Sequence, residues 1–216
     1  MFTRRPVILV LTVLAMLAAA WAGWPGRAGS LPAAGKVEHV LDGDTIILET
    51  GEKVRYLGID APETGHRGEP SQCHGRKAKE ANARRVLGKK VALRYAGETH
   101  DQYGRLLAYV HGPDGACVNV ELVRAGYAWI YRTPGAEDMF AELLGAQREA
   151  ITKREGLWGA CPVRTAPYYI GNIGTYVFHR PRCPLGREMS VRSRVRFQGR
   201  WQPLYDGYHP CRSCRP

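Results

Sequence analysis

Short runs of strand-forming residues alternate with Asp-Gly and Thr-Gly turns in the first half of the chain. This pattern predicts a series of short β-strands joined by tight turns. The dipeptide Thr50-Gly51 has the composition of a hairpin turn between two of them. The candidate strands are Val37–Leu41, Thr45–Glu49, Lys53–Ile59, Val91–Tyr95 and Leu106–His111.

Three longer segments have the spacing or the terminal residues of helices. They are about His74–Leu87, Val120–Ala125 and Ala136–Arg154, followed by Gly88, Gly126 and Gly156. Asn119 is expected to cap the second of them. Five strands with three helices predict a mainly β fold with helices (α+β), in the form of a small barrel with helices packed on it.

The composition changes at both ends of this region. Residues 23–35 are rich in Gly, Pro and Ala and are expected to be a linker, so the predicted barrel domain spans residues 36–161. Residues 168–216 are rich in arginine and hold half of the six cysteines. A segment this short needs a disulfide or a metal ion to fold as a domain, so we expect a small stapled domain.

Residues 1–22 are expected to be a signal peptide. Met1–Pro6 is basic, Val7–Ala20 is apolar, and Ala20-Trp21-Ala22 has the pattern of a cleavage site. The apolar stretch Val7–Trp24 is about long enough to span a bilayer, so an uncleaved N-terminal anchor is the alternative. The first interpretation predicts a secreted or periplasmic protein and the second a membrane-anchored one. Both place the remaining residues outside the cytoplasm, where disulfides persist.

The positive charge is concentrated near the C-terminus. The chain has a net charge of +11, and residues 164–216 contain ten Arg, no Lys and two acidic residues. The arginine fork suits phosphate oxygens, so this segment favours a nucleic-acid partner over a merely basic surface. No feature of the sequence indicates a protein partner.

Three polar clusters contain the groups that phosphodiester hydrolysis requires. They are Asp42-Gly43-Asp44-Thr45, the run from Arg55 to Thr64, and Asp101-Gln102-Tyr103-Gly104-Arg105. Such hydrolysis needs a cation, a base for the attacking water and positive charge for the transition state. Asp44 and Asp60 can bind the cation, and Glu63 can act on the water. Arg55 and Arg105 can bind the phosphate oxygens.

These clusters, in this order, resemble the staphylococcal nuclease (thermonuclease) family. The resemblance runs from about Lys36 to Trp158 and includes the segment Val118–Ala128 and the end Gly156-Leu157-Trp158. It implies a five-stranded OB-type barrel with three helices. It also implies a Ca²⁺-dependent endonuclease that cuts DNA and RNA with little sequence preference and leaves 3′-phosphates.

The resemblance also implies roles for individual residues. Asp44, Asp60 and the backbone carbonyl of Ala61 would bind calcium, and Glu63 would be the general base. Arg55 and Arg105 would bind and stabilise the scissile phosphate, and Tyr103 would contact a terminal phosphate. The sequence departs from the family at Ala61, where Thr is common, and at Gln102, where Lys is common. Neither change removes a catalytic group.

The C-terminal segment contains the motif His179-x3-Cys183-x27-Cys211-x2-Cys214, which has the spacing of a structural zinc site. Its surroundings, Val177-Phe178-His179 and Gly207–Cys211, resemble the small zinc module of bacterial adaptive-response alkylation-repair proteins. His179 stands where those proteins have their methyl-accepting Cys, so methyl transfer is not implied. A Cys211–Cys214 disulfide is the alternative to zinc.

With those ligands set aside, Cys73, Cys117 and Cys161 remain. The nuclease fold that the resemblance implies brings the start of the first helix near the terminal Trp158, which favours a Cys73–Cys161 disulfide over three free thiols.

Two other functions compete with the nuclease. The chain could be a nucleic-acid-binding module that has lost catalysis, or a surface-tethered component of DNA uptake.

Overall fold

The structure, a computed structural model, describes residues 30–65, 68 and 70–216. The N-terminal segment 1–22 and residues 23–29 of the predicted linker lie outside these described residues. Residues 32–216 form one compact unit. None of the helices in the described part of the chain has the length and apolar character that crossing a membrane would require.

Five strands close into a barrel in the order β1-β2-β3-β6-β5, and β5 pairs back with β1. The first six strands are β1 (Ala34–Val40), β2 (Thr45–Leu48), β3 (Lys53–Tyr56), β4 (Ile59–Asp60), β5 (Lys90–Arg94) and β6 (Leu106–His111). Alternate side chains of the strands fill the barrel, so Val37, Ile46 and Val54 are almost fully buried. The strand β3 runs parallel to β6, and the other barrel pairs are antiparallel.

Four helices follow the barrel strands or lie between them. They are α1 (Gly75–Val86), α2 (Val118–Arg124), α3 (Phe140–Lys153) and the short α4 (Leu157–Ala160), with a 3₁₀ turn at Glu137–Met139. A two-residue strand, β7 (Trp129–Ile130), pairs with β4 outside the barrel. The structure therefore confirms the predicted α+β class and the closed five-stranded barrel.

The segment Lys53–Ile59 is not the single strand that the sequence predicted. Gly58 has a φ of +79°, a backbone conformation that glycine adopts without strain, and it separates β3 from β4. A Cβ at this position would lie 2.9 Å from Cδ1 of Leu143, so the turn also packs closely on α3. The break turns the chain away from the barrel and places Asp60 on β4.

Asn119 is not the helix cap that the sequence predicted. The helix α2 begins at Val118, with Cys117 at the cap position, and Asn119 is completely buried. Its side-chain oxygen accepts a hydrogen bond from the Val110 amide (2.9 Å), and its nitrogen donates to the Leu57 carbonyl (2.8 Å). A buried amide with both groups satisfied links α2 to the barrel and to the turn before β4.

The C-terminal segment forms a four-stranded sheet with two short helices. Its elements are β8 (Tyr169–Asn172), β9 (Val177–His179), α5 (Pro184–Arg187), a 3₁₀ turn (Val191–Ser193), β10 (Arg194–Phe197), α6 (Trp201–Tyr205) and β11 (His209–Pro210). The sheet order is β10-β8-β9-β11. The parallel pair β9 and β11 brings His179 close to Cys211.

This sheet shares a hydrophobic core with the helices that follow the barrel. Leu157 and Trp158 belong to the same buried cluster as Tyr169, Phe178 and Leu204. Gln147 of α3 is fully buried and donates to the Leu204 carbonyl at 2.7 Å, while its oxygen accepts the Ile130 amide. Removing residues 168–216 would expose this apolar surface and leave Gln147 without one of its partners.

Several arginines of the C-terminal segment stabilise the segment itself. Arg180 donates to the carbonyls of Cys214 and Arg215, and Arg194 donates to those of Arg187 and Met189. At the ends of these short elements, guanidinium groups satisfy carbonyls that no helix or sheet pairs. The arginine content that suggested a polyanion partner therefore has in part a structural cause.

A disulfide joins Cys73, just before α1, to Cys161, just after α4, with their Cα atoms 5.8 Å apart. These are the two cysteines that the family resemblance favoured as a pair. The other four cysteines are free thiols within the described residues. The bridge closes a loop with a sequence separation of 88 residues, so it restricts the unfolded chain strongly.

We expect the Cys73→Ser/Cys161→Ser variant to lose about 4.6 kcal/mol of unfolding free energy, the chain-entropy value for a loop of this length. Urea unfolding followed by circular dichroism measures the loss. The control is Cys117→Ser, which removes a partly buried free thiol that belongs to no bridge. Equal stability of the double variant and the wild type would show that the bridge does not stabilise the fold.

Candidate active site

Two buried carboxylates, Asp44 and Asp60, lie at the centre of the predicted site, with only 4% and 3% of their surfaces exposed. Asp44 follows a tight turn in which its amide donates to Oδ1 of Asp42 at 3.0 Å. Asp60 lies on β4 because the chain turns at Gly58. Two charged groups are this deeply buried in proteins only when they are paired or bind an ion.

Arg55 of β3 lies between the two carboxylates and contacts both. Its Nη1 is 2.9 Å from Oδ2 of Asp44, and its Nη2 is 2.7 Å from Oδ1 of Asp60. Nη1 also donates to the Ile59 carbonyl at 2.9 Å. The guanidinium is itself buried, so these contacts fix its orientation and compensate its charge.

Ala61 lies beside the carboxylates, and its backbone amide donates to Oδ2 of Asp44 at 2.5 Å. This hydrogen bond joins the turn at Asp44 to the end of β4. Residue 61 takes part in this contact only through its backbone amide. The contact therefore does not need the hydroxyl of the Thr that is common at this position in the family.

Burial raises the pKa of Asp44 well above its ordinary value, and Arg55 opposes that shift. Burial and the charges of Asp42 and Asp60 likewise raise the pKa of Glu63, while Arg212 and Arg55 lower it. Carboxylates therefore crowd this site, and a bound cation would relieve their repulsion.

Glu63 is exposed to solvent and lies just beyond β4, three residues after Asp60. It lines a cavity of about 450 Å³ together with Asp60 and Ala61. The Cys73–Cys161 disulfide lines the same cavity. Glu63 is therefore positioned where a molecule in the cavity reaches both its carboxylate and that of Asp60.

Arg105 and Tyr103 form a separate group on the turn that precedes β6. Nε of Arg105 is 2.7 Å from Oδ2 of Asp101, and its guanidinium carbon is 5.5 Å from the centre of the Tyr103 ring. Tyr103 is 75% exposed. Since β6 pairs with β3, Arg105 lies at the start of the strand next to that of Arg55. The structure thus places Arg105 on a strand adjacent to that of Arg55 and pairs it with Asp101.

A further arginine, Arg212, contacts the site, and no sequence motif indicated this contact. Its Nη2 is 2.5 Å from Oδ1 of Asp60, and its Nε is 3.4 Å from Oδ2. Arg212 lies 152 residues beyond Asp60, between Cys211 and Cys214, so no local motif connects the two residues. In the sequence, Arg212 stands out only because it lies between two candidate metal ligands. That position points to a role in the C-terminal segment and not to a contact with Asp60.

The four residues of the predicted zinc motif come together at one end of the C-terminal sheet. The ligand atoms of His179, Cys183, Cys211 and Cys214 all lie within 4.8 Å of one another. Nδ1 of His179 is 3.4 Å from Sγ of Cys183. Within the described residues all three cysteines are free thiols, so the structure does not contain the alternative Cys211–Cys214 disulfide.

Comparison with known proteins agrees with this geometry. The family of staphylococcal nuclease homologues matches residues 53–160. An "Uncharacterized endonuclease" of Escherichia coli is 39% identical over 127 residues, which is 57% of this chain and 76% of that protein. The "Thermonuclease" of Staphylococcus intermedius is 36% identical over 125 residues, which is 56% of this chain and 74% of that protein.

A third relative matches a longer part of the chain. "Endonuclease YhcR" of Bacillus subtilis (strain 168) is 35% identical over 201 residues, covering 81% of this chain but 16% of that protein. The aligned region covers 81% of the chain, which is more than residues 1–161 could supply. The similarity therefore extends into the C-terminal segment. The family match, the identity to these relatives and the closed barrel agree: the chain belongs to the family of staphylococcal nuclease homologues.

Proposed function

We propose that this chain is an exported, Ca²⁺-dependent nuclease that hydrolyses phosphodiester bonds of DNA and RNA with little sequence specificity and leaves 3′-phosphates. The observation that carries the proposal is the buried cluster in which Arg55 pairs with both Asp44 and Asp60, with Glu63 at the edge of the adjoining cavity. Relatives named thermonuclease and endonuclease support nuclease activity in particular.

The acidic groups fit a calcium ion. Asp44 and Asp60 are hard oxygen donors, and the carbonyl of Ala61 is the third protein ligand in this assignment. Asp44 and Asp60 are buried on neighbouring segments and both contact Arg55, so their carboxylates lie close enough to share one cation. Calcium, when bound, would supply positive charge to the reacting phosphate.

The chain's own groups account for the remaining chemistry. Glu63 accepts the proton of the attacking water, since it lines the same cavity as Asp60. Arg55 and Arg105 contribute positive charge to the phosphate oxygens as the transition state forms. Tyr103 is exposed beside Arg105 and is assigned the contact with a terminal phosphate.

The cluster of His179, Cys183, Cys211 and Cys214 fits a structural zinc ion. Tetrahedral bond lengths to zinc put neighbouring nitrogen and sulfur ligands roughly 3.5 Å apart, close to the 3.4 Å between Nδ1 of His179 and Sγ of Cys183. Four protein ligands complete the coordination and leave no open position for a reacting water. Zinc would therefore stabilise the C-terminal segment and take no part in catalysis.

The exposed arginines support nucleic acid as the partner. Arg182 and Arg187 are exposed and, with Arg194, line a surface hollow of about 660 Å³ on the C-terminal segment. Such a group can neutralise backbone phosphates outside the active site.

Export to the periplasm or the medium is part of the proposal, with an N-terminal membrane anchor as its alternative. The Cys73–Cys161 disulfide supports both, because disulfides persist in oxidising compartments. N-terminal sequencing of the mature protein distinguishes a cleaved signal from an anchor.

A catalytically inactive nucleic-acid-binding module and a surface-tethered component of DNA uptake remain the competing functions. A cleavage assay separates the inactive module from the enzyme. We expect the full-length protein to degrade plasmid DNA and RNA with Ca²⁺ and to stop when the calcium is chelated. Glu63→Gln, which keeps the shape but removes the base, should lower the rate by roughly a hundred-fold or more.

The matched control for this assay is Glu80→Gln, the same change at an exposed position on α1, and its rate should equal that of the wild type. Circular dichroism verifies that both variants fold. Undiminished cleavage by Glu63→Gln would show that Glu63 is not the base. Full activity after chelation would show that calcium is not required.

The zinc site predicts a metal content and a dependence of stability on that metal. Elemental analysis of the full-length protein should find about one zinc per chain in the wild type, because the ligand set is that of a single site. Cys183→Ser should lose the zinc and lower the melting temperature, since structural zinc contributes folding free energy. Cys117→Ser, which changes a free thiol outside the cluster, should keep the zinc. Equal zinc in both variants, or a Cys211–Cys214 bridge in mass mapping, would contradict the assignment.

A further inference from the structure

We propose that Arg212 is a third arginine of the active site, contributed by the C-terminal segment, and that it binds a substrate phosphate next to the scissile one. This inference rests on the proposed nuclease function and goes beyond it, because residue 212 lies outside the part of the chain that the nuclease family matches.

The backbone around Arg212 is held in place from both sides. The amide of Cys211 donates to the Phe178 carbonyl at 3.0 Å, which ties the residue before Arg212 to β9. The amide of Arg215 donates to the Cys211 carbonyl at 2.9 Å and closes the turn. Zinc bound by Cys211 and Cys214 would fix the same turn. Arg212 is therefore presented to the site from a defined position.

The two arginines that contact Asp60 differ in their freedom to move. Both donate to the same oxygen, Oδ1 of Asp60. The side chain of Arg55 is 10% exposed, whereas that of Arg212 is 65% exposed. A cation bound at Asp60 would compete with both for that carboxylate and repel their charge. Arg212 can respond by leaving Asp60, whereas Arg55 is enclosed by its other contacts.

The cavity beside Asp60 gives the released guanidinium a ligand site. Arg200, Arg212 and Arg215 line it from the C-terminal segment, and Glu63 lines it from the barrel domain. Its volume of about 450 Å³ lies within the range of small-ligand pockets. A cavity that contains both the proposed base and three arginines suits a phosphodiester, since arginine binds two phosphate oxygens through its fork.

Nearby contacts leave Arg212 as the arginine that can bind the phosphate. Arg200 donates to the Pro216 carbonyl, and its side chain is partly buried. Arg215 donates to the Arg212 carbonyl. Arg212 alone among these three directly contacts a residue of the proposed catalytic centre within the described part of the chain.

Oligonucleotide binding without cleavage tests this role. The full-length Glu63→Gln protein serves as the background, and fluorescence anisotropy measures its binding to a short labelled single-stranded DNA in Ca²⁺. We expect Arg212→Ala in this background to weaken binding roughly ten-fold and to reduce the salt slope by about one phosphate contact. Arg212→Lys keeps the charge but loses the planar guanidinium group. Its affinity for DNA should therefore lie between that of the Glu63→Gln background and that of Arg212→Ala in the same background.

The control is Arg192→Ala, which removes the same charge from an exposed position of the C-terminal segment that does not line the cavity. It should weaken binding less than about two-fold, because it loses only a distant charge. Circular dichroism verifies folding. If Arg212→Ala fails to fold, Arg212→Lys decides the question: unchanged affinity together with an unchanged salt slope would overturn the proposal.

A calcium titration of the same variants distinguishes a phosphate ligand from a competitor for the metal site. Tighter calcium binding by Arg212→Ala with unchanged DNA affinity would show that Arg212 only blocks Asp60 and would overturn the proposal. Loss of DNA affinity at saturating calcium would support it. A wild type that cleaves neither DNA nor RNA would instead refute the proposed function itself, and with it the role of Arg212.

Discussion

The site depends on one buried guanidinium that is paired with two buried carboxylates. Arg55 connects the turn at Asp44 to the short strand at Asp60, and without it two negative charges would remain in the protein interior. Breaking such a buried pair typically costs about 3–5 kcal/mol, so Arg55 is expected to stabilise the fold as well as the chemistry. In the proposed function, the same residue would assemble the carboxylates that bind the cation and would contribute charge to the phosphate. The turn at Gly58 brings Asp60 within reach of Arg55.

The C-terminal segment is part of the same structure and also contacts the site. Its aromatic residues share a core with Leu157 and Trp158, and Gln147 connects the two parts through the Leu204 carbonyl. Zinc bound at the proposed site would hold the turn that carries Arg212, so a structural metal would determine the position of a side chain that contacts Asp60. The similarity to a Bacillus subtilis endonuclease extends into this segment, which is consistent with a role shared by both parts.

The sequence predicted the barrel, the α+β class and the nuclease family because these depend on local patterns and on motifs with fixed spacing. It did not predict the break at Gly58, because Leu57 and Ile59 are both apolar and continue a strand-like pattern. It misplaced Asn119, since a buried amide and a helix cap use the same residue type. The contact of Arg212 with Asp60 spans 152 residues and follows no motif, so only the tertiary structure shows it. The arginine content likewise suggested phosphate binding, whereas some of these side chains satisfy carbonyls.

Calcium binding to Asp60→Asn tests whether Asp44 and Asp60 together bind the proposed catalytic cation. Isothermal titration calorimetry of the full-length protein should detect one weak calcium site in the wild type, since two carboxylates and a carbonyl form a modest site. We expect Asp60→Asn to lose this binding, because the substitution keeps the shape and removes one of the two charges. Calcium binding by Asp60→Asn with the affinity of the wild type would contradict this expectation.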